Sequence, residues 1–152
     1  MQLFQRRHEI VKQYGPLWQH LEVLDALGVD GMSSDESNID PTTGQRKYTI
    51  IKPDWRHPDL HNLLGIVDQF HHYSHLNSWS NDRHGAFPHI RVGSQKVHKE
   101  AHPPLHLPVN AYDHQWLEGR ETMYVDYVLR PKAEPSNFSH SLVLIQYVLH
   151  LL

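Results

Sequence analysis

The stretch from His57 to Leu76, HPDLHNLLGIVDQFHHYSHL, constrains the fold more than any other part of the chain. Turned at about 100° per residue, it places Leu60, Leu63, Leu64, Val67 and Phe70 on one broad apolar arc, with His71 inside the arc beside Ser74. Pro58 stands where a first helical residue needs no N–H of its own. His57, His61, Asp68, His72 and His75 fall on a narrow polar stripe next to the arc. A helix with one such apolar face has to bury it against other elements, so the rest of the chain must supply a covering layer.

Candidates for that layer lie on both sides. Residues 2–14 put Leu3, Phe4, Ile10, Val11 and Tyr14 on one helical side before Gly15-Pro16 breaks the run. Leu17, Trp18, Leu21, Leu24 and Leu27 repeat the pattern, with Gly28 placed to end a helix and Trp18 expected as a core anchor. Lys47 to Lys52 is rich in β-branched and aromatic residues and reads as a strand. His89 to Val92 alternates and is expected to pair with it. The sequence therefore predicts a small, loop-rich α+β domain: two N-terminal helices and a central amphipathic helix against a short β-sheet. Residues 1–130 are expected to form this domain, with 29–46 as a flexible acidic loop within it. Residues 131–152 read as a linker followed by an apolar tail.

Between Val97 and Pro108 the histidines recur as His98, His102 and His106, but Pro103-Pro104 forbids a continuous helix there. An extended, proline-stiffened segment over the surface is expected instead. Asn110 to Leu117 reads as a short helix or turn with Tyr112 and Trp116 on one side. Residues 121–129 read as a strand or a helix.

The polar stripe is the strongest chemical signal. Asp68, His71, His72 and His75 are the candidate ligands for a divalent metal such as zinc, and neighbouring pairs such as Asp68 with His72 or His71 with His75 have helical spacing. Asp68 and His75 start roughly 10 Å apart along the axis at about 1.5 Å per residue, so one ion with bonds of about 2 Å cannot use both. A complete site needs further ligands, from the 84–114 segment. The competing reading is a solvated boundary stripe in which Asp68 accepts hydrogen bonds from imidazole.

Composition excludes other classes. The chain has 152 residues with 15 histidines, no cysteine and a formal charge of −3, so it has neither a thiolate metal site nor a basic field suited to nucleic acid. Arg83, Arg91, Lys96 and Lys99 form the most basic neighbourhood and support only weak phosphate attraction. The N-terminus is charged where a secretion signal needs an apolar run, and the apolar C-terminal run is shorter than the ~20 residues of a membrane-spanning helix. The expectation is an intracellular protein, cytoplasmic or nuclear, without a membrane. HExxH, Gly-x-Ser-x-Gly, phosphate-loop and cysteine–histidine finger patterns are all missing.

The loop block Leu27-Gly28-Val29-Asp30-Gly31-Met32-Ser33-Ser34-Asp35-Glu36-Ser37 resembles a recurring block of uncharacterised basidiomycete proteins apparently linked to mobile elements. Trp55-Arg56 and the set Leu107-Pro108, Asn110, Tyr112-Asp113 and Trp116 extend the resemblance over roughly residues 1–120. It implies a fungal protein and no established activity. Ser33, with Glu36 three places on, matches an acidophilic-kinase site of the casein kinase 2 type.

Two readings compete. In the first, the chain is a non-enzymatic interaction module without a cofactor, whose acidic loop is read by a basic protein partner. In the second, it is a metal-dependent hydrolase or nuclease using Asp68, His71, His72 and His75.

Overall fold

The computed structural model describes residues 3–32, 34–81 and 90–139, with the backbone alone at 34–36, 73–81 and 90–92. Helix α1, Leu3–Gln13, buries Ile10 and Val11. The second helical run divides in two: a 3-10 segment Gly15–His20 and then helix α2, Leu21–Leu27. Pro16 lies at the start of the 3-10 segment, where a tighter turn of three residues changes which side chains point inward. Leu17 is fully buried, but Trp18 is 59% exposed and its Nε1–H donates to the Lys12 carbonyl at 2.7 Å. Trp18 thus covers the C-terminal end of α1 and is not the core anchor its sequence position predicts.

The segment expected as a flexible loop contains a strand. Strand β1, Ser34–Ile39, pairs antiparallel with β2, Arg46–Pro53, from Ser34 opposite Ile51 to Ile39 opposite Arg46. The connecting turn is built on Asp40, whose Oδ1 accepts from the Thr42 N–H and whose carbonyl accepts from the Gly44 N–H. Gly44 has φ +70°, a conformation that a residue without a Cβ takes at no steric cost. The acidic, serine-rich composition of β1 disfavours a strand, but an available backbone partner in β2 outweighs that weak preference.

On its other side β2 pairs parallel with β3, Ile90–Val92, and near its end with β4, Val97–His98. The expected pairing of residues near 90 with the 47–52 strand is therefore present. It is parallel because helix α3, Pro58–Asn81, forms the crossover between the two strands.

His57 caps α3, its Nδ1 accepting the Asp59 N–H at 3.0 Å, while its carbonyl accepts from the His61 N–H. Leu60, Leu63, Leu64, Val67 and Phe70 are all buried, as the apolar arc requires, and burying each such side chain favours folding by about 1.5–3 kcal/mol. The Tyr14 and Phe70 rings meet at 4.8 Å, packing the end of α1 against α3.

Residues 101–139 close the domain. A 3-10 turn, Val109–Ala111, precedes helix α4, His114–Glu118. The short helix α5, Thr122–Tyr124, runs on into a wide helical turn, Val125–Leu129, that ends at Arg130 with φ +46°. The segment after Arg130, expected as a linker, packs on the body. Lys132 N–H donates to the Leu107 carbonyl, Asn110 exchanges two hydrogen bonds with the Ser136 backbone, and Phe138 is buried. The folded unit therefore includes residues up to at least Phe138, beyond the expected limit at 130. The apolar run that follows lies outside the described residues.

Candidate functional site

The polar stripe of α3 is built around two arginines from elsewhere in the chain. Arg7 of α1, only 2% exposed, lays its guanidinium against Asp68: Nε donates to Oδ1 and Nη2 to Oδ2, each at 2.8 Å. A two-pronged bond of this kind matches guanidinium to carboxylate geometry and occupies both oxygens. Its Nη1 also faces the Met32 sulfur at 3.1 Å. The fully buried Arg56 donates from Nη2 to the Gly31 carbonyl at 2.6 Å. Its Nη1 lies 3.2 Å from His61 Nδ1, which accepts when the imidazole is neutral, and its charge sits 5.5 Å from the centre of the Trp55 ring.

The electrostatics of His61 follow from that setting. Burial, and then the positive charges of Arg56, Lys52 and Arg7, press its pKa from 6.5 down to about 4, with only Asp68 acting the other way. It is held neutral, which is the form that can accept from Arg56.

The candidate ligands are thus dispersed in role. Asp68 is paired with Arg7 through both carboxylate oxygens. His71 is half-buried, His72 is exposed, and the His75 side chain lies outside the described residues. Among the described residues no three histidine or acidic side chains converge in a way that could hold an ion. Sequence reasoning overlooked Arg7, although it stands four residues from both Leu3 and Val11 and so falls on the helical side that the apolar pattern marks.

Met32 and Gly31 meet these two arginines, and Trp55-Arg56 forms a second joint with Ala111–Asp113. Gly31 is buried, and a Cβ built on it would lie 2.5 Å from the Leu27 carbonyl oxygen, so only glycine lets its own carbonyl reach Arg56 without a shift. Trp55 and Arg56 run beside Ala111–Asp113, with His57 N–H donating to the Ala111 carbonyl and Asp113 N–H to that of Trp55. Asp113 then caps α4 through the Trp116 N–H, and the Tyr112 and Trp116 rings stack at 6.1 Å. The Tyr112 hydroxyl donates to the Pro104 carbonyl at 2.6 Å and accepts from the Leu107 N–H at 3.3 Å. Burial pushes its pKa up to about 12, so it stays a donor. These residues brace the fold.

Two surface features among the described residues bear on recognition. Among the described strands β1 lies at the sheet edge, with β2 on its only paired side. Its sequence is acidic: Asp35 and Glu36 within it, Asp30 before it and Asp40 after it. Where the chain leads into β1, a cleft of about 760 Å³ opens between Gly28–Met32 and the His98–Leu105 segment, with Pro53 and Trp55 in its wall. Val29 and Leu105 on this cleft are exposed apolar side chains, while Asp30 contributes a carboxylate. Its volume is in the range of ligand-binding clefts. Ser33, the candidate phosphorylation site, lies outside the described residues.

No helix of the described residues is long and apolar enough to cross a membrane. Comparison with protein-family models, with curated proteins and with solved structures finds no match for the chain.

Proposed function

We propose that this chain is a non-enzymatic, intracellular protein-interaction module that binds a basic, extended segment of a protein partner along β1. The observation that carries the reading is an acidic strand at the edge of the sheet leading directly to an open cleft. An exposed edge offers unpaired backbone N–H and C=O groups to an added strand, and pockets beside it select side chains. Here the negative charge of the strand favours lysine and arginine, and the cleft by Val29 and Leu105 suits one apolar side chain of the same segment. Recognition then needs neither a metal nor a cofactor. The likeness to basidiomycete proteins linked to mobile elements supports a fungal setting for such a module.

The test is a binding titration with a fluorescent peptide that alternates lysine with valine, set against one that alternates glutamate with valine. The lysine peptide is expected to bind and to weaken as salt rises, because exposed charges are screened over about 10 Å at 0.1 M salt. Asp35→Asn with Glu36→Gln is expected to weaken it further. Equal binding of both peptides, or of neither, would overturn the proposal.

A further inference from the structure

The sequence directs attention to Ser33, but the hairpin singles out a different serine. Ser37 lies in the middle of β1, exposed, and opposite Tyr48 of β2. Its Oγ accepts a hydrogen bond from Arg46 Nη1 at 3.0 Å, across the hairpin. Side chains two residues apart share a face of a strand, so Ser37 and Ile39 lie together, with Arg46 opposite Ile39 and diagonal to Ser37. The neighbouring cation, Lys47, is engaged elsewhere: its Nζ is 3.3 Å from Asp40 Oδ2. The hairpin thus sets one guanidinium against one exposed hydroxyl.

We propose that Ser37 is a phosphorylation site for an acidophilic serine kinase and that Arg46 receives the phosphate. Three features support it jointly. Asp35 and Glu36 precede Ser37 and Asp40 follows at the third position, which is the charge pattern that such a kinase reads. The backbone around Ser37 is extended and, among the described strands, lies at the sheet edge, with the Ser37 side chain exposed. Arg46 is within hydrogen-bond reach of the oxygen that would carry the phosphorus, so a phosphate there exchanges a neutral acceptor for a charged one that a guanidinium can grip with two bonds.

In the reaction the Ser37 hydroxyl oxygen forms a bond to the γ-phosphorus of ATP as the bond from that phosphorus to the ADP oxygen breaks. The hydroxyl proton passes to a base of the kinase, and no oxidation or reduction occurs. The modified strand then carries more negative charge at the same edge, held in place by Arg46. This inference concerns the same strand as the proposed function but needs no partner, so either can fail without the other.

The experiment treats the purified full chain with an acidophilic serine kinase and ATP, with a synthetic peptide substrate confirming that the kinase is active. Fragment mass spectrometry is expected to find phosphate on Ser37, lost in Ser37→Ala. Phosphorus NMR of the modified chain should then give a second phosphate pKa below the ordinary value of about 6, returning toward it in Arg46→Gln. Phosphate confined to other serines would overturn the site. A phosphate on Ser37 whose titration ignores Arg46→Gln would overturn the pairing.

Discussion

Arg7 and Arg56 each bring a positive charge into the interior, and each is held by groups distant in sequence. Removing one member of a buried ion pair strands the other, at a cost of about 3–5 kcal/mol, whereas replacing both by apolar residues of similar size is far milder. Asp68→Ala is therefore expected to lower stability toward urea substantially, and Arg7→Met with Asp68→Leu to recover most of the loss. Because Asp68 serves Arg7, the deficit should be the same with and without added zinc; a loss seen only in zinc would assign Asp68 to a metal. His61 adds a pH dependence. Its folded pKa is depressed to about 4 from 6.5, so the unfolded chain takes up a proton first as pH falls. Its contribution to stability is fully present above pH 6.5, declines between there and about 4, and changes no further below. Urea midpoints measured across that window should flatten in His61→Gln, which keeps an acceptor for Arg56 but does not titrate. At this scale the polar stripe was legible in the sequence as a stripe, but its partners were not, since a helical pattern shows which residues share a face and not what packs against it.

Helix α3 is the element that the sequence describes best, because an apolar arc repeated over several turns has only one way to be buried. Phe70→Ala should cost about 3–5 kcal/mol, read from a chemical melt, since its ring is enclosed and meets Tyr14. Gly31→Ala tests the other arginine. The added methyl group would press on Leu27 and move the carbonyl that Arg56 uses, so a loss of about 1–3 kcal/mol is expected by thermal unfolding. An unchanged melting temperature would mean that the Gly31 carbonyl is not essential to Arg56. The less regular elements were harder to read. Strand β1 has loop-like composition, and its pairing depends on β2, whose position only the folded chain supplies. Trp18 was misplaced because one proline converts the start of its helix to a 3-10 turn, changing the rotation per residue.

Across the whole molecule, the domain is closed by contacts that link residues far apart in sequence. Asn110 to Ser136 and Lys132 to Leu107 tie the segment after Arg130 to the body, and Phe138 joins the core. Hydrophobic pattern identified the α+β class and its principal helix, while a single buried ring in a polar stretch left no periodic signal, so the packing of the segment after Arg130 was not legible. The claim with most at stake is that this body presents an acidic edge to a basic strand. Amide hydrogen exchange along β1, with and without the lysine–valine peptide, tests it most directly. The alternate β1 amides that do not face β2 are predicted to become protected when the peptide is present, at low salt and less so at high salt. Unchanged exchange along β1 under conditions where the peptide is bound would contradict the account.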